Sequence, residues 1–277
     1  MKYHQKTILK SCHFSGVGIH SGKPVKMTVH PGKENGIVFI RTDLDAQIPV
    51  LAGNLCLDPL RATQLSVEGA SVATPEHFLA ALHVLGISQC SVEIDSKECP
   101  ILDGSAKEFI KGLEDAGIVD LDLEAIPIKV EETYCITDGD ASLQVAASEH
   151  FEIEYDLHYD DAVIGQQKYR AIISKETFIE DIAPARTYAF EHEVKALRDR
   201  GLGLGGDLEN TLVISKDTYL NTPRFSNECV RHKILDIVGD LAILNGPIQA
   251  KITAKGSGHK LNAEMVHYLS ECVVAHK

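Results

Sequence analysis

Ser226-Asn-Glu-Cys-Val-Arg-His-Lys-Ile-Leu-Asp-Ile-Val-Gly-Asp-Leu-Ala-Ile-Leu-Asn-Gly-Pro247 is the longest helix signalled in this 277-residue chain. Asn245-Gly246-Pro247 stops it, since Gly suits a helix end and Pro cannot extend one. Val230, Ile234, Ile237, Leu241 and Leu244 recur at helical spacing and form an apolar stripe. His232, Asp236 and Asp240 recur every fourth residue, about 40° apart around the axis, and form a second stripe roughly opposite. The spacing predicts a helix that buries one face and presents an imidazole and carboxylates on the other.

Beyond this helix, residues 248–254 read as a short strand, and Asn262 can cap a last helix running towards the C-terminus. The same helix–strand–helix order occurs earlier. Thr74-Pro75 reads as an N-cap followed by Pro at the first helical position, and Gly86 closes that helix. A strand at 90–95 follows, with alternating Val92 and Ile94, and then a helix over 105–116. Ser105 with Glu108 makes a capping-box pattern there, and Gly117 follows. Strands precede each unit: Val25, Met27 and Val29 alternate, and Phe151-Glu-Ile-Glu-Tyr-Asp-Leu-His-Tyr159 is apolar at every second place. Strands grouped ahead of helices predict an α+β fold. Asp120-Leu-Asp-Leu-Glu-Ala-Ile-Pro127 reads as a linker, so two related α+β domains are expected, at 1–123 and 124–277.

A formal net charge of −13 argues against non-specific nucleic-acid binding, which needs a basic surface. No run of about 18 apolar residues predicts a transmembrane helix. The start, Met1-Lys-Tyr-His-Gln-Lys-Thr7, lacks the apolar run of a signal peptide. The seven Cys are scattered, odd in number and without C-x-x-C, which reads as reduced, buried thiols and a cytoplasmic location. Nothing in the sequence names a protein partner.

An imidazole and a carboxylate four residues apart suit Zn²⁺ or Fe²⁺, although such pairs are also common on helix surfaces. Thr74-Pro-Glu-His77 adds weight. Glu76 and His77 diverge by about 100°, so one can be a ligand while the other serves as a base; Glu76 alone would merely favour the helix dipole. Gly256-Ser-Gly-His259 follows a predicted strand and offers a loop histidine free to titrate. Together these segments hold the parts of a hydrolytic metal site: three ligands with an open position, a carboxylate base and a histidine acid that Asp240 can orient. Gly201-Leu-Gly-Leu-Gly-Gly206 spells G-x-G-x-x-G, but residues 193–200 before it read as a helix. A dinucleotide site needs a strand there, so the expectation is a helix stop and a mobile loop.

At this point the chain resembles the UDP-3-O-acyl-N-acetylglucosamine deacetylase family, which carries out the committed step of lipid A synthesis. The resemblance rests on blocks in order along nearly the whole chain: Gly16-Val-Gly-Ile-His-Ser-Gly22, Thr74-Pro-Glu-His-Phe-Leu-Ala-Ala-Leu82, Glu98-Cys-Pro-Ile-Leu-Asp-Gly-Ser105, Ala185-Arg-Thr-Tyr188, Arg231-His-Lys-Ile-Leu-Asp-Ile-Val-Gly-Asp-Leu241 and Gly256-Ser-Gly-His-Lys-Leu-Asn262. It implies that His77, His232 and Asp236 bind zinc. Glu76 would be the general base, and His259, supported by Asp240, the general acid. Thr187 would act with the metal on the oxyanion. Lys233 would lie at the charged substrate, a UDP-linked acylated glucosamine, with Tyr188 packing on it and His20 at the cleft. The implied fold is two similar α+β domains, each a sheet with packed helices, the helix layers facing each other and each domain carrying an insert. The second insert, near 189–213, would form an apolar passage for the acyl chain. Tyr188 stands where Phe is common, and Asn227 where Asp is common. A zinc hydrolase for a different amide or ester would share the same ligands and remains the alternative.

Overall fold

The computed structural model describes residues 3–57, 61–160 and 163–275. In chain order, the first half holds β1 (Tyr3–Ile8), β2 (Cys12–Val17), β3 (Pro24–Pro31), β4 (Ile37–Arg41), β5 (Ala46–Pro49), the hairpin β6 (Gln64–Val67) and β7 (Ala70–Ala73), α1 (Glu76–Leu85), β8 (Cys90–Ile94), α2 (Lys107–Asp115) and β9 (Ile118–Ala125). The second half holds β10 (Ile128–Lys129), β11 (Tyr134–Asp138), β12 (Ala141–Ala147), β13 (Glu152–His158), β14 (Gln166–Ile172), the one-turn α3 (Lys175–Thr177), β15 (Tyr188–Phe190), α4 (Glu191–Asp199), β16 (Leu212–Ile214), α5 (Glu228–Leu241), β17 (Ile248–Lys255) and α6 (His259–Ala275).

The two main sheets follow one path. The first runs β2-β3-β8-β4-β5 and the second β11-β12-β17-β13-β14, with β10 beside β17. In each, the strand between the two helices sits at the centre, antiparallel to one neighbour and parallel to the other. The alternation predicted the faces: Val25, Met27 and Val29, like Ile153, Tyr155 and Leu157, are buried. Each half also inserts extra structure ahead of the first of its two main helices, between β5 and α1 and between β14 and α5. The first insert carries β6 and β7; the second carries β15, α4 and β16, with β15 and β16 paired in parallel. The molecule is thus α+β, a duplicated sheet-and-helix unit with an insert in each copy.

Gly86 ends α1 in the left-handed conformation, φ 72°, which a side chain would disfavour. Other local expectations are corrected. Thr74 caps nothing: it has φ 55° and its hydroxyl points to Glu98 Oε1 at 3.4 Å. Ser105 accepts from the Lys107 N–H, but no capping box forms with Glu108; Asp103 Oδ1 holds Ser105 instead. Residues 120–125, read as a linker, belong to β9, whose register partner is β1. The last helix begins at His259, before Asn262, whose side chain turns to Asp240. No disulfide joins the seven cysteines; Cys90, Cys99 and Cys229 are buried as expected, but Cys12, Cys56 and Cys272 are half-buried and Cys135 is exposed.

The largest correction concerns α5. Val230, Ile234, Ile237 and Leu241 are buried as expected, but so are His232, Asp236 and Asp240, the last only 1% exposed. The helix has no solvent face at its centre because α1, itself buried along most of its length, packs against it. Gly239 permits that approach: a Cβ there would lie 2.0 Å from the Glu76 carbonyl oxygen.

At the far end of α1, burial pushes the His83 imidazole down to about 4, and its ring meets Phe151 edge-on. A depressed histidine contributes stability that is complete above its unfolded pKa, about 6.5, and is lost as pH falls through about 4. Urea denaturation of metal-free protein should therefore show a shallower loss of stability over that window in His83→Leu than in wild type. Equal slopes would refute the assignment.

Candidate metal centre and active site

α1 and α5 cross so that His77 from the first half meets His232 and Asp236 from the second. One ligand atom from each lies within 4.8 Å of the others, and all three residues are buried. His232 Nε2 is 3.2 Å and His77 Nε2 3.8 Å from Asp236 Oδ1. Two ligands each about 2.0–2.2 Å from one Zn²⁺ can span such separations. His232 Nδ1 lies 3.1 Å from the Ala185 carbonyl, a partner that turns Nε2 towards the cluster. Asp236 Oδ1, the atom that both imidazoles face, is buried without a hydrogen-bond partner. A bare buried polar atom costs about 1–3 kcal/mol, so the donor set fits a metal ion. Among the described residues no fourth His, Cys, Asp or Glu joins the cluster, which leaves coordination positions free.

The electrostatics suit a cation. Burial, and then His232, push the His77 imidazole down to about 3; burial also lowers His232. Both shifts run towards the neutral imidazole, the form that ligation requires. Burial alone would raise Asp236, but His232, Lys233, His259 and His77 outweigh it and hold the carboxyl well below its usual range. Lys233 Nζ donates to Asp236 Oδ2 at 2.8 Å. Burial works against the Lys233 charge, yet Asp236 holds it above the ordinary lysine range.

Glu76 and His259 face each other beside this cluster, with His259 Nε2 4.0 Å from Glu76 Oε1 and 4.0 Å from Asp236 Oδ2. Burial raises the Glu76 carboxyl to about 8, with Asp240 and Asp236 adding and His259 opposing. Burial would lower His259, but Asp240, Asp236 and Glu76 raise it to about 9. His259 is not the loop histidine expected; it opens α6 and its side chain is only 12% exposed. Its Nδ1 donates to Asp240 Oδ2 at 2.9 Å, which aims Nε2 at the site.

Glu76, His77, His232, Lys233, Asp236 and His259 line one cleft of about 530 Å³. His20, Thr187 and Tyr188 line its walls, and Asp240 lies behind His259. Thr187 is placed by its N–H, which donates to the Gly104 carbonyl at 2.8 Å. Tyr188 keeps the aromatic wall, its ring centroid 5.7 Å from Lys233 Nζ and its hydroxyl 3.1 Å from that of Tyr159. The His20 N–H donates to Glu98 Oε1 at 2.7 Å, and that of Ser21 to Glu98 Oε2 at 2.9 Å. Asn227 stands at the N-cap of α5, but its side chain does not cap it; its Oδ1 accepts from Arg231, while the buried Glu228 receives the Arg186 guanidinium at 2.9 Å and ties the helix start to the Ala185–Tyr188 segment.

The glycine-rich run at 201–206 follows α4 rather than a strand, which excludes the dinucleotide reading. Nor is it a free loop: Leu204 and Gly205 donate backbone hydrogen bonds to His20 and Ile19, so the second insert docks on the first half beside the cleft. Sequence reasoning missed Glu98, Arg61 and Thr63. Arg61 lines the cleft and pairs with Glu193 of the second insert at 3.0 Å.

A family model described as UDP-3-O-acyl N-acetylglycosamine deacetylase matches residues 5–271. A UDP-3-O-acyl-N-acetylglucosamine deacetylase of Nautilia profundicola is 40% identical over 273 residues, covering 98% of this chain and 92% of its own. Proteins of the same name from Leptospira biflexa and Helicobacter pylori are 39% and 36% identical, covering 98% and 95% of this chain and 90% of each of theirs. With the match running almost end to end, and through both halves that build the cleft, the chain belongs to the UDP-3-O-acyl N-acetylglycosamine deacetylase family.

Proposed function

We propose that this chain is a zinc-dependent amidohydrolase that removes the acetyl group from UDP-3-O-acyl-N-acetylglucosamine, releasing acetate and leaving a free amine. The carrying observation is a three-ligand cluster with open positions, flanked by a carboxylate and an imidazole 4.0 Å apart. His77, His232 and Asp236 hold the metal. When bound, Zn²⁺ supplies Lewis acidity towards the amide carbonyl and lowers the pKa of a bound water to about 7. Glu76 takes a proton from the attacking water. Burial raises its carboxyl in the protein alone, and a cation held by the three ligands would favour the ionised form that the base role needs. Thr187 hydrogen-bonds the developing oxyanion. His259, cationic and held by Asp240, gives its Nε2 proton to the departing nitrogen as the C–N bond breaks.

Lys233 fixes Asp236 and presents positive charge to the substrate's anionic end, despite the acidic total. Tyr188, whose ring meets Tyr159 edge-on, with Tyr159 in turn meeting Phe190, begins the apolar passage for the acyl chain, and His20 lines the same cleft. The enzyme works in the cytoplasm; no helix among the described residues is long and apolar enough to cross a membrane. Its two domains divide near residue 123: β9, whose pairing with β1 runs on to Ala125, closes the first, and β10, paired with β17, opens the second.

Acetate release from the UDP-linked acylated sugar should fall to background after chelator treatment and return with added Zn²⁺. The same assay on a substrate lacking the fatty acyl chain should run slower. Chelator-resistant turnover would reject the metal role, and indifference to the acyl chain would point to a different amide or ester substrate.

A further inference from the structure

We propose that Thr63, from the first insert, is a positioning residue that holds the general acid and the general base in register. The inference rests on the assignment of Glu76 as base and His259 as acid. Thr63 is 2% exposed and does not line the cleft, so it reaches no substrate. Its hydroxyl donates to Asp240 Oδ1, and the same oxygen lies 3.2 Å from His259 Nδ1. Its backbone N–H lies 3.3 Å from Glu76 Oε2 and donates to it. One residue therefore touches the acid, the acid's partner and the base.

The hydrogen-bond inventory gives the side chain a defined task. A hydroxyl has one donor and two acceptor positions. Thr63 uses the donor on Asp240 Oδ1, while Asp240 Oδ2 accepts from His259 Nδ1 at 2.9 Å and Asn262 Nδ2 at 2.8 Å. The carboxylate is thus held at both oxygens, and its plane sets the direction of the imidazole. The Thr63 carbonyl accepts from Thr74 N–H at 2.9 Å, which anchors the loop to the segment leading into α1. If the hydroxyl is lost, Asp240 keeps two donors on one oxygen and none from Thr63 on the other. It can then rotate, and Nε2 loses its fixed bearing on the site. The backbone bond to Glu76 survives any side-chain change, so the side chain acts only through Asp240 and His259.

Thr63→Val keeps the shape and removes the hydroxyl; Thr63→Ser keeps the hydroxyl and removes the methyl. Steady-state kinetics should show Thr63→Val reducing kcat by about 10–100-fold, the range for losing a residue that orients a catalytic group. KM and bound zinc should stay near wild type, because neither substrate nor ligands are touched. Thr63→Ser should restore kcat. In an Asp240→Asn background, Thr63→Val should cost less than about threefold more, since the two act as one unit. Should Thr63→Val fail to fold, Thr63→Ala takes its place with the same expectations. A folded, zinc-loaded hydroxyl-less variant with wild-type kcat would overturn the inference, as would a Thr63→Ser protein as impaired as Thr63→Val. Glu76→Gln and His259→Gln run in parallel: if these are fully active, the acid and base assignments themselves fail.

Discussion

Glu76→Ala should lower kcat for deacetylation by about 10²–10⁴-fold, the usual contribution of a positioned general base, while zinc content stays at the wild-type level. Glu76 belongs to the same helical turn as the ligand His77, yet it is not in the three-residue cluster. Its Oε2 accepts the Thr63 N–H and its Oε1 faces His259, so the carboxylate is aimed beside the metal rather than at it. Truncation removes the proton acceptor and leaves His77, His232 and Asp236 intact. Initial-rate assays, paired with elemental analysis after dialysis, separate the two effects. A fully active Glu76→Ala protein would remove Glu76 from the base role. A protein that lost its zinc together with its activity would instead make Glu76 a structural support of the ligand set.

Gly239→Ala should damage stability, zinc affinity and activity together. The added methyl would lie 2.0 Å from the Glu76 carbonyl oxygen, 2.7 Å from its carbon and 2.9 Å from its Cα. These are backbone atoms within a buried helix and have no rotamer to escape into, so α1 and α5 must move apart. Overpacking of this kind costs about 1–3 kcal/mol or more, against a gain in helix propensity of about 1 kcal/mol from replacing Gly by Ala. The clash wins. The chemical consequence exceeds the stability loss, because Glu76 and His77 ride on α1 while Asp236 and Asp240 ride on α5. A misplacement of about 1 Å between reacting groups can cost 10²-fold in rate. Urea midpoints, zinc titration and kcat on the same preparation report all three effects. Wild-type values in each would show that the helices tolerate a wider crossing and that the site is not set by their contact.

The two substitutions mark different depths of legibility. Glu76 stood out beside His77, and His232, Asp236 and Asp240 stood out at four-residue spacing, because a helix places such residues on one face wherever it lies. The same holds for β3 and β13, whose alternation told inside from outside, and for Gly86 at the end of α1. Gly239 carried no signal beyond its presence in a helix, since its meaning depends on a carbonyl from another helix. Thr63 carried still less: it meets Asp240 across 177 residues of sequence.

The periods of 2.0 and 3.6 residues belong to the backbone, so element types, the α+β order and the stripe of ligands could be read from the residues themselves. Which partner a polar side chain takes is a contest among all the donors and acceptors the fold brings near. That contest turned Thr74 from its helix to Glu98, Asn262 from its helix to Asp240, and residues 120–125 from a linker into a strand beside β1. It also buried both faces of α5, because a second helix covers the side that periodicity alone assigns to solvent. Long-range packing therefore decided what the residues touch, whereas local chain geometry had already decided what they form.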